Sequence, residues 1–249
     1  MNRTFVWGHR GAGFKGTQNT FSSFKNAIDM GVDGIKTEPK LSKEGEVVLS
    51  FFNTLKINRE EVPIKELTIE EIKKFKLENS ESIPTLREVF EAFESNNIKY
   101  NFDIANPEEG IQIIKTAKEY GLVDHIELAK PSTRSDPLND FFTEIRNFDK
   151  NVMLNNSVLY KHLEIEDKHL ELEDMRKLNI KGINVNYNFA NYDLFKRVKE
   201  LGFKFYVWGI LFKRQMKKFL TMKYNGEYID AIMSNQPDRL IKFRDEFQN

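Results

Sequence analysis

Short apolar segments alternate with amphipathic segments from one end of this chain to the other. The apolar segments have the length of buried strands, and the segments between them repeat their apolar residues at helical spacing. Strands that alternate with helices usually lie parallel and are covered by those helices, and eight such units fit a chain of 249 residues. The pattern therefore predicts an α/β fold, a TIM-type (β/α)8 barrel, as a single domain over residues 1–249. The predicted strands are Phe5–Gly8, Gly34–Glu38, Lys99–Ala105, His125–Ala129, Asn151–Leu154, Gly182–Asn186, Phe203–Trp208 and Ile229–Met233.

Start signals of helices support this alternation. Thr68 with Glu71, and Thr85 with Glu88, have the spacing of a capping box, in which each side chain bonds the backbone of the other residue. Further helices are predicted over Asn19–Gly31, Asn106–Tyr120 and Pro237–Phe247. A small β-hairpin that extends the second strand is predicted over Pro39–Leu41 and Glu46–Ser50.

Polar residues follow most of the predicted strands. In a (β/α)8 barrel the functional face lies at the carboxyl ends of the strands. For the asparagines, contact with solvent is an equally good explanation, whereas Lys36, Glu38 and Asp103 are flanked by core residues and are better explained by function. The strand-end residues are His9, Arg10, Lys36, Glu38, Asp103, Lys130, Asn155, Asn156, Asn186, Trp208, Ser234 and Asn235.

His9 and Arg10 stand side by side after the first predicted strand, among three glycines. A guanidinium can bind two oxygens of a phosphate, and an imidazole can move a proton near neutral pH. The pair is therefore a candidate phosphate site, although a His-Arg-Gly turn on its own is more often a surface feature.

Charge and composition exclude several classes of function. Lysine plus arginine and aspartate plus glutamate both number 38, so the chain lacks the basic excess of a nucleic-acid binder. It has no cysteine, which excludes disulfides, thiol nucleophiles and cysteine-ligated zinc. No apolar leader and no apolar run of bilayer length is present. We expect a soluble cytoplasmic protein whose partner is a small molecule.

Several ordered motifs resemble those of the glycerophosphodiester phosphodiesterase family. The opening segment HRGAGFKGTQNTFSSFKNAIDMGVDGIK is similar to the start of that family, and the similarity continues through LSKEGEVVL, IPTLREVFEAF and NFDIA. It returns with FYVWGI and AIMSNQPDRL, and it is weak in the middle of the chain. The resemblance implies a TIM-type barrel that hydrolyses glycerophosphodiesters to glycerol 3-phosphate and an alcohol. It also implies a divalent cation, Ca²⁺ or Mg²⁺, held by carboxylates, and two histidines that act as acid and base.

The family's site residues are only partly present here. His9 and Arg10 match the first histidine and the phosphate-binding arginine. The metal-binding pair of the family falls on Lys36 and Glu38, and its third metal ligand falls on Asp103. The resemblance thus leaves Glu38 and Asp103 as metal ligands. A lysine ammonium replaces the third, and it cannot bind a cation.

The second histidine of the family falls on Phe51, and the acid after it falls on Phe52. One of two proton carriers is therefore missing, and the two phenylalanines are expected to pack as an apolar wall. Gln18 replaces a family glutamate, and Asn235 replaces an aspartate.

The substitutions suggest an anion pocket that works without a metal. Lys36 is expected to lie between Glu38 and Asp103 or to contact a phosphate, with Lys130 as a further cation and Trp208 as a further binding residue. Tyr160 and His162 could fold over the barrel mouth, although a solvated charged segment is the better interpretation.

Two functions remain open at this point. The first is a phosphodiesterase with an altered or metal-independent route, in which His9 and Arg10 are catalytic. Transfer of the phosphoryl group to an internal hydroxyl, as in the related spider-venom-type phospholipases D, belongs to this hypothesis. The second is an inactive barrel that binds a phosphorylated ligand.

Overall fold

Eight parallel strands close into a barrel in the computed structural model, which describes residues 3–159 and 165–248. Each strand pairs with its neighbours in the chain, and the first strand pairs with both the second and the last. The predicted (β/α)8 barrel is confirmed. The barrel strands are β1 (Phe5–His9), β2 (Gly34–Thr37), β3 (Lys99–Asp103), β4 (Ile126–Lys130), β5 (Met153–Ser157), β6 (Gly182–Asn186), β7 (Lys204–Trp208) and β8 (Ala231–Ser234).

Helices cover the outside of the barrel. Thr68 with Glu71, and Thr85 with Glu88, form the predicted capping boxes, and Asn106 caps the helix that begins at Pro107. The apolar faces of the helices and the outward-facing strand residues make up the main core. The helices are α1 (Phe21–Asp29), α2 (Ile69–Lys74), α3 (Leu86–Phe93), α4 (Pro107–Glu119), α5 (Leu138–Phe148), α6 (Asp167–Leu170), α7 (Leu172–Lys177), α8 (Tyr192–Glu200), α9 (Lys213–Leu220) and α10 (Pro237–Phe247).

Within the described residues, three antiparallel hairpins lie outside the barrel sheet, and only the first was predicted from the sequence. It pairs Pro39–Leu41 with Val47–Leu49 after β2. The second pairs Thr54–Ile57 with Glu60–Pro63 and shares a small satellite core with α2. The third is short and joins α9 to β8.

Most predicted strands differ from the observed ones by only one or two residues at their ends. The fifth strand is the largest exception, since it reaches Ser157 rather than Leu154. His125 lies in a 3-10 turn before β4, not in the strand itself, and so it stands at the amino end of the barrel, far from the candidate site. No helix within 3–159 or 165–248 has the length and apolar character needed to cross a membrane.

The barrel interior contains a buried polar cluster around Glu127. Glu127 is buried there and accepts hydrogen bonds from Asn101 Nδ2 at 3.0 Å, Asn155 Nδ2 at 2.8 Å and the Tyr206 hydroxyl at 3.2 Å. Burial first, and then the charge of Glu127, raise the pKa of Tyr206 well above its ordinary value, so the phenol stays a donor. Trp7, by contrast, packs with Tyr206 and other apolar interior residues.

Gly34 provides a test of interior packing. A Cβ at this position would lie 2.3 Å from Trp7 Cζ3 and 2.9 Å from the Lys99 carbonyl oxygen. Gly34→Ala is therefore expected to lower the free energy of unfolding by about 1–3 kcal/mol, measured by urea denaturation. Gly16→Ala is the matched control, because its added methyl would meet no atom within 4 Å and its backbone is extended. Equal stability of the two variants would contradict the tight packing.

Candidate active site

A cleft of about 310 Å³ opens at the carboxyl ends of the barrel strands. Its lining includes seven of the residues that the sequence placed at strand ends. Because successive residues of a strand point to opposite faces, the inward-facing positions of neighbouring strands converge on this cleft. Those seven residues are His9, Arg10, Lys36, Glu38, Asp103, Trp208 and Asn235.

The backbone after β1 turns sharply to place Arg10 in the cleft. Arg10 has a φ of 55° and Gly11 a φ of 88°, both in the left-handed region. A Cβ on Gly11 would lie 2.5 Å from Ser23 Oγ, so only glycine allows the close approach to α1. The Arg10 carbonyl oxygen accepts from Ser23 Oγ at 3.0 Å and from the Asn19 backbone at 3.1 Å. These bonds hold a conformation that costs about 1 kcal/mol or more in a residue other than glycine.

Glu38 contacts several polar side chains on one side of the cleft. It accepts hydrogen bonds from Arg10 Nε at 2.8 Å and from Asn19 Nδ2 at 3.0 Å, and His9 Nε2 lies 3.7 Å away. Burial alone would raise its pKa, but the close approach and charge of His9, the charge of Arg10 and the bond from Asn19 together lower the pKa from 4.5 to about 2. Glu38 is therefore an ionised partner of Arg10.

The low pKa of Glu38 predicts a pH-dependent contribution to stability. The group is charged in the folded state down to about pH 2, so its stabilisation is complete above about pH 5 and is lost as the pH falls through 4.5 toward 2. Glu38→Gln is expected to lower the free energy of unfolding by about 3 kcal/mol at pH 7, and the wild-type and variant curves converge in acid.

The measurement for this prediction is urea unfolding at several pH values. Glu70→Gln is the matched control, because Glu70 forms an exposed pair with Lys74 and such pairs contribute little. A constant difference between wild type and Glu38→Gln from pH 7 to pH 3 would contradict the assignment.

His9 is oriented by Asn235. Its Nδ1 lies 2.8 Å from Asn235 Oδ1, and an amide oxygen can only accept, so Nδ1 carries a proton in this arrangement. Nε2 is left facing Glu38 and the cleft, where it can take up or release a proton. Asn235, predicted only as a strand-end residue that replaces a family aspartate, thus orients the His9 ring.

Lys36 occupies the other side of the cleft, deep in the barrel. Its ammonium lies 2.6 Å from Asp103 Oδ1 and donates to Asn101 Oδ1 at 2.9 Å. Lys36 is buried, and Asn101 connects it to Glu127. The expected bridge between Glu38 and Asp103 is only half correct: Lys36 pairs with Asp103, whereas Glu38 pairs with the Arg10 guanidinium.

The residues present do not fit the divalent cation that the family generally uses. Two carboxylates remain, but one is paired with the Lys36 ammonium and the other with the Arg10 guanidinium. A further cation between them would face two positive charges at close range. Among residues 3–159 and 165–248 no group of three or more acidic, histidine or cysteine side chains could hold a metal. The expectation that Glu38 and Asp103 bind a metal therefore stays a prediction without support from this geometry.

Phe51 and Phe52 form part of the apolar lining of a cavity beside the cleft, and they are not buried in the core. Both side chains are about half exposed, and their rings meet edge to face. The Phe51 ring lies against the Arg10 guanidinium, with 3.7 Å between Cζ and the ring centroid. Such a cation–π contact fixes the plane of Arg10 while leaving the in-plane N–H groups able to bind an anion.

Lys130 does not reach the cleft, and the expectation for it is corrected. Within β4 the side chains of Glu127 and Ala129 face the barrel interior, so Lys130 points outward. Its ammonium donates to the Asp136 carbonyl oxygen at 2.7 Å and lies 3.6 Å from Glu171 Oε1. Burial lowers its pKa, and Glu171 opposes that effect.

The strand-end asparagines mostly have structural bonds. Asn155 donates to Glu127, Asn156 donates to the Leu170 carbonyl oxygen, and Asn186 accepts from the backbone of Asn188. Tyr160 and His162, considered above as cover for the barrel mouth, lie outside the described residues.

Several contacts of the site were not predicted from the sequence. Gln18, noted above only as the replacement of a family glutamate, lies beside the cleft and accepts from Arg10 Nη1 at 3.0 Å, which orients the guanidinium from a second side. Ser157 and Asn184 lie in the cleft wall and bond each other at 3.1 Å. Alternate residues of β5 and β6 face the barrel interior, and this alternation could have identified both residues. Ser132 and Thr133 follow β4 in a loop, where no periodic signal exists.

Comparison with known proteins decides the family. The glycerophosphoryl diester phosphodiesterase family matches residues 9–239, nearly the whole chain. The chain belongs to this family. A curated relative, the glycerophosphodiester phosphodiesterase of Caldanaerobacter subterraneus subsp. tengcongensis, is 25% identical over 252 residues, which cover 96% of this chain and 97% of the relative.

Solved structures of other family members show the same fold. A phosphodiesterase from Oleispira antarctica, solved in complex with the product sn-glycerol-3-phosphate, superposes with a TM-score of 0.81 at 18% identity and covers 98% of this chain and 97% of its own. A glycerophosphodiester phosphodiesterase from Parabacteroides distasonis has a TM-score of 0.78 at 20% identity, with 100% and 99% covered. The membership predicted from the sequence motifs is confirmed.

Proposed function

We propose that the cleft hydrolyses a glycerophosphodiester or a related phosphodiester without a divalent cation. One observation carries the metal-independent part: the buried Lys36 ammonium lies 2.6 Å from Asp103, one of the two carboxylates left from the family's metal ligands. A fixed positive charge beside a phosphate can supply part of the electrostatic stabilisation that a cation supplies elsewhere. The relative crystallised with sn-glycerol-3-phosphate supports the ligand class.

Arg10 is proposed to hold the phosphate. Its Nε is bound to Glu38 and its Nη1 to Gln18, whereas Nη2 makes no hydrogen bond within the described parts of the chain. Phe51 covers one face of the guanidinium, so the remaining N–H groups are directed along its plane. A charge-assisted hydrogen bond from a guanidinium so restrained is short and strong.

His9 is proposed to move the proton. A water attacks phosphorus, the bond from phosphorus to the alcohol oxygen breaks, and His9 Nε2 takes a proton from the water and returns it to the leaving oxygen. The products are a phosphate monoester and an alcohol. A hydroxyl of the substrate attacking in place of water would follow the same proton path and give a cyclic product.

The second candidate is a barrel that binds a phosphorylated ligand without turnover. It is favoured by Phe51, because this residue replaces the family's second proton carrier and no other histidine of the described chain lines the cleft. The same Arg10, Lys36 and His9 would then form the binding site, with Trp208 in the cleft wall.

One experiment separates these functions. The purified protein is incubated with glycerophosphocholine and glycerophosphoglycerol, and release of glycerol phosphate is measured. Turnover that Arg10→Ala abolishes supports the hydrolase. Binding of glycerol 3-phosphate by calorimetry with no turnover supports the binding protein, and neither turnover nor binding overturns both. The single domain over residues 1–249, the cytoplasmic location and the lack of a nucleic-acid partner stay predictions.

A further inference from the structure

A second, larger cavity adjoins the cleft. It has a volume of about 490 Å³, in the range of small-molecule sites, and its lining is mainly apolar. It lies between the loop after β1 and the hairpin region that follows β2. Its apolar lining includes Phe14, Leu49, Phe51, Phe52, Phe75 and Leu77.

Exposed phenylalanines concentrate at this groove. Phe14, Phe51 and Phe52 are 59%, 55% and 48% exposed, and they make up half of the large hydrophobic side chains exposed in the described part of the chain. Single exposed apolar residues are ordinary, but a contiguous apolar patch beside a polar cleft usually marks a binding surface.

The groove is joined to the cleft through Arg10. Phe51 lines the groove and contacts the Arg10 guanidinium, and Gln18 lines the groove and accepts from Arg10 Nη1. Asn19 lines it as well and donates to Glu38 in the cleft. A phosphate held by Arg10 would therefore stand at the boundary between the two spaces.

The cleft side of this boundary offers polar partners that the phenylalanines of the groove do not. Ser132, Thr133 and Ser157 line it, and Asn184 Oδ1 is buried with no hydrogen-bond partner within residues 3–159 and 165–248. A buried acceptor without a partner is costly, and a ligand hydroxyl would satisfy it. The cleft can therefore bind the hydroxyl groups of a polyol, whereas the phenylalanines of the groove can cover an apolar chain.

We propose that the groove binds the alkyl chain of the alcohol esterified to the phosphate. The preferred substrate is then an asymmetric phosphodiester with glycerol in the cleft, phosphate at Arg10 and an apolar alcohol over Phe51 and Phe52. The expected effect on kcat/KM rests on the proposed hydrolase function. The expected preference for binding a longer alkyl chain does not.

The test uses a series of glycerol phosphodiesters of ethanol, butanol, hexanol and octanol, all assayed as dissolved monomers. The value of kcat/KM is expected to rise about threefold per added methylene along the series, since burial of a methylene in a half-open groove recovers most of its transfer free energy. In Phe14→Ser/Phe52→Ser this rise disappears, so that the four esters are hydrolysed with similar kcat/KM. Phe148→Ser is the matched control, because this exposed phenylalanine ends α5 on the opposite side of the barrel.

The failure of this inference and that of the proposed function are distinguishable. Equal kcat/KM for all four esters, with turnover, overturns the groove assignment and leaves the hydrolase. If no ester is hydrolysed, the binding of ethyl phosphate and of octyl phosphate is compared by calorimetry. Tighter binding of octyl phosphate that is lost in Phe14→Ser/Phe52→Ser supports the groove assignment. Equal binding of the two phosphates overturns it. Concentration-dependent dimerisation that the same double variant abolishes, with no chain-length effect, would assign the groove to a second copy and overturn the proposal.

Discussion

Replacing His9 by Asn is expected to lower kcat for phosphodiester hydrolysis by ~10²–10⁴-fold, the usual contribution of a general acid–base group. His9 is fixed by Asn235 through Nδ1 and presents Nε2 to the cleft beside Glu38. Since Phe51 replaces the second histidine, no other described histidine can take over the proton. The measurement is the rate of glycerol phosphate release under saturating substrate.

The control for this variant is His125→Asn. His125 lies in the turn before β4 and contacts the Ile98 carbonyl oxygen, so its loss should leave the rate unchanged. His9→Asn should also bind glycerol 3-phosphate nearly as well as wild type, because Arg10 is retained. A rate within about threefold of wild type would show that His9 is not the proton carrier.

Replacing Lys36 by Met is expected to have the largest effect on stability. It leaves Asp103 and Asn101 without the ammonium that both contact, and removal of one partner from a largely buried ion pair costs about 2–4 kcal/mol. Urea unfolding measures the loss. The double variant Lys36→Met/Asp103→Asn should recover part of it, because no unpaired charge remains, and a single variant as stable as wild type would contradict the pair.

Lys36→Glu tests whether the Lys36 ammonium stands at the place where a divalent cation could bind. Three carboxylates would then face the cleft, from residues 36, 38 and 103, and the variant is expected to gain a Ca²⁺-dependent rise in melting temperature that wild type lacks. At a hundredfold excess over the dissociation constant, that stabilisation amounts to about 2.7 kcal/mol. No response of the variant to Ca²⁺ would indicate that Lys36 does not stand where a cation can bind.

The fold was predictable because its signals are local and repeated. Each strand and helix carries its own periodicity, and caps such as Thr85 with Glu88 mark the helix starts. The second hairpin was not predicted: Thr54–Ile57 and Glu60–Pro63 alternate weakly, and their partner is a small satellite core.

The sequence predicted which residues come together in the site, but it did not predict which of them form ion pairs with each other. His9, Lys36, Glu38 and Asp103 reach the cleft from alternate, inward-facing positions, whereas Arg10 reaches it through the left-handed turn after β1. That Arg10 takes Glu38 and Lys36 takes Asp103 depends on side-chain reach in three dimensions, which spacing does not contain.

Two differences from the sequence-based expectation have different physical origins. Lys130 was placed in the cleft because it ends a strand, but Glu127 and Ala129 face the interior from the same strand, so Lys130 points outward. Phe51 was expected only as part of an apolar wall, and its contact with Arg10 was not predicted. Its contact with Arg10 depends on a guanidinium held from two other sides by Glu38 and Gln18, and no local pattern encodes that.

The dependence of turnover on divalent cations tests the central claim most directly. Metal-stripped protein is assayed on glycerophosphocholine and glycerophosphoglycerol in EDTA and after addition of Ca²⁺ or Mg²⁺. With Lys36 paired to Asp103 and Arg10 paired to Glu38, the rates should agree within about twofold under all three conditions. A rate that falls about tenfold or more in EDTA and returns with the cation would contradict the account.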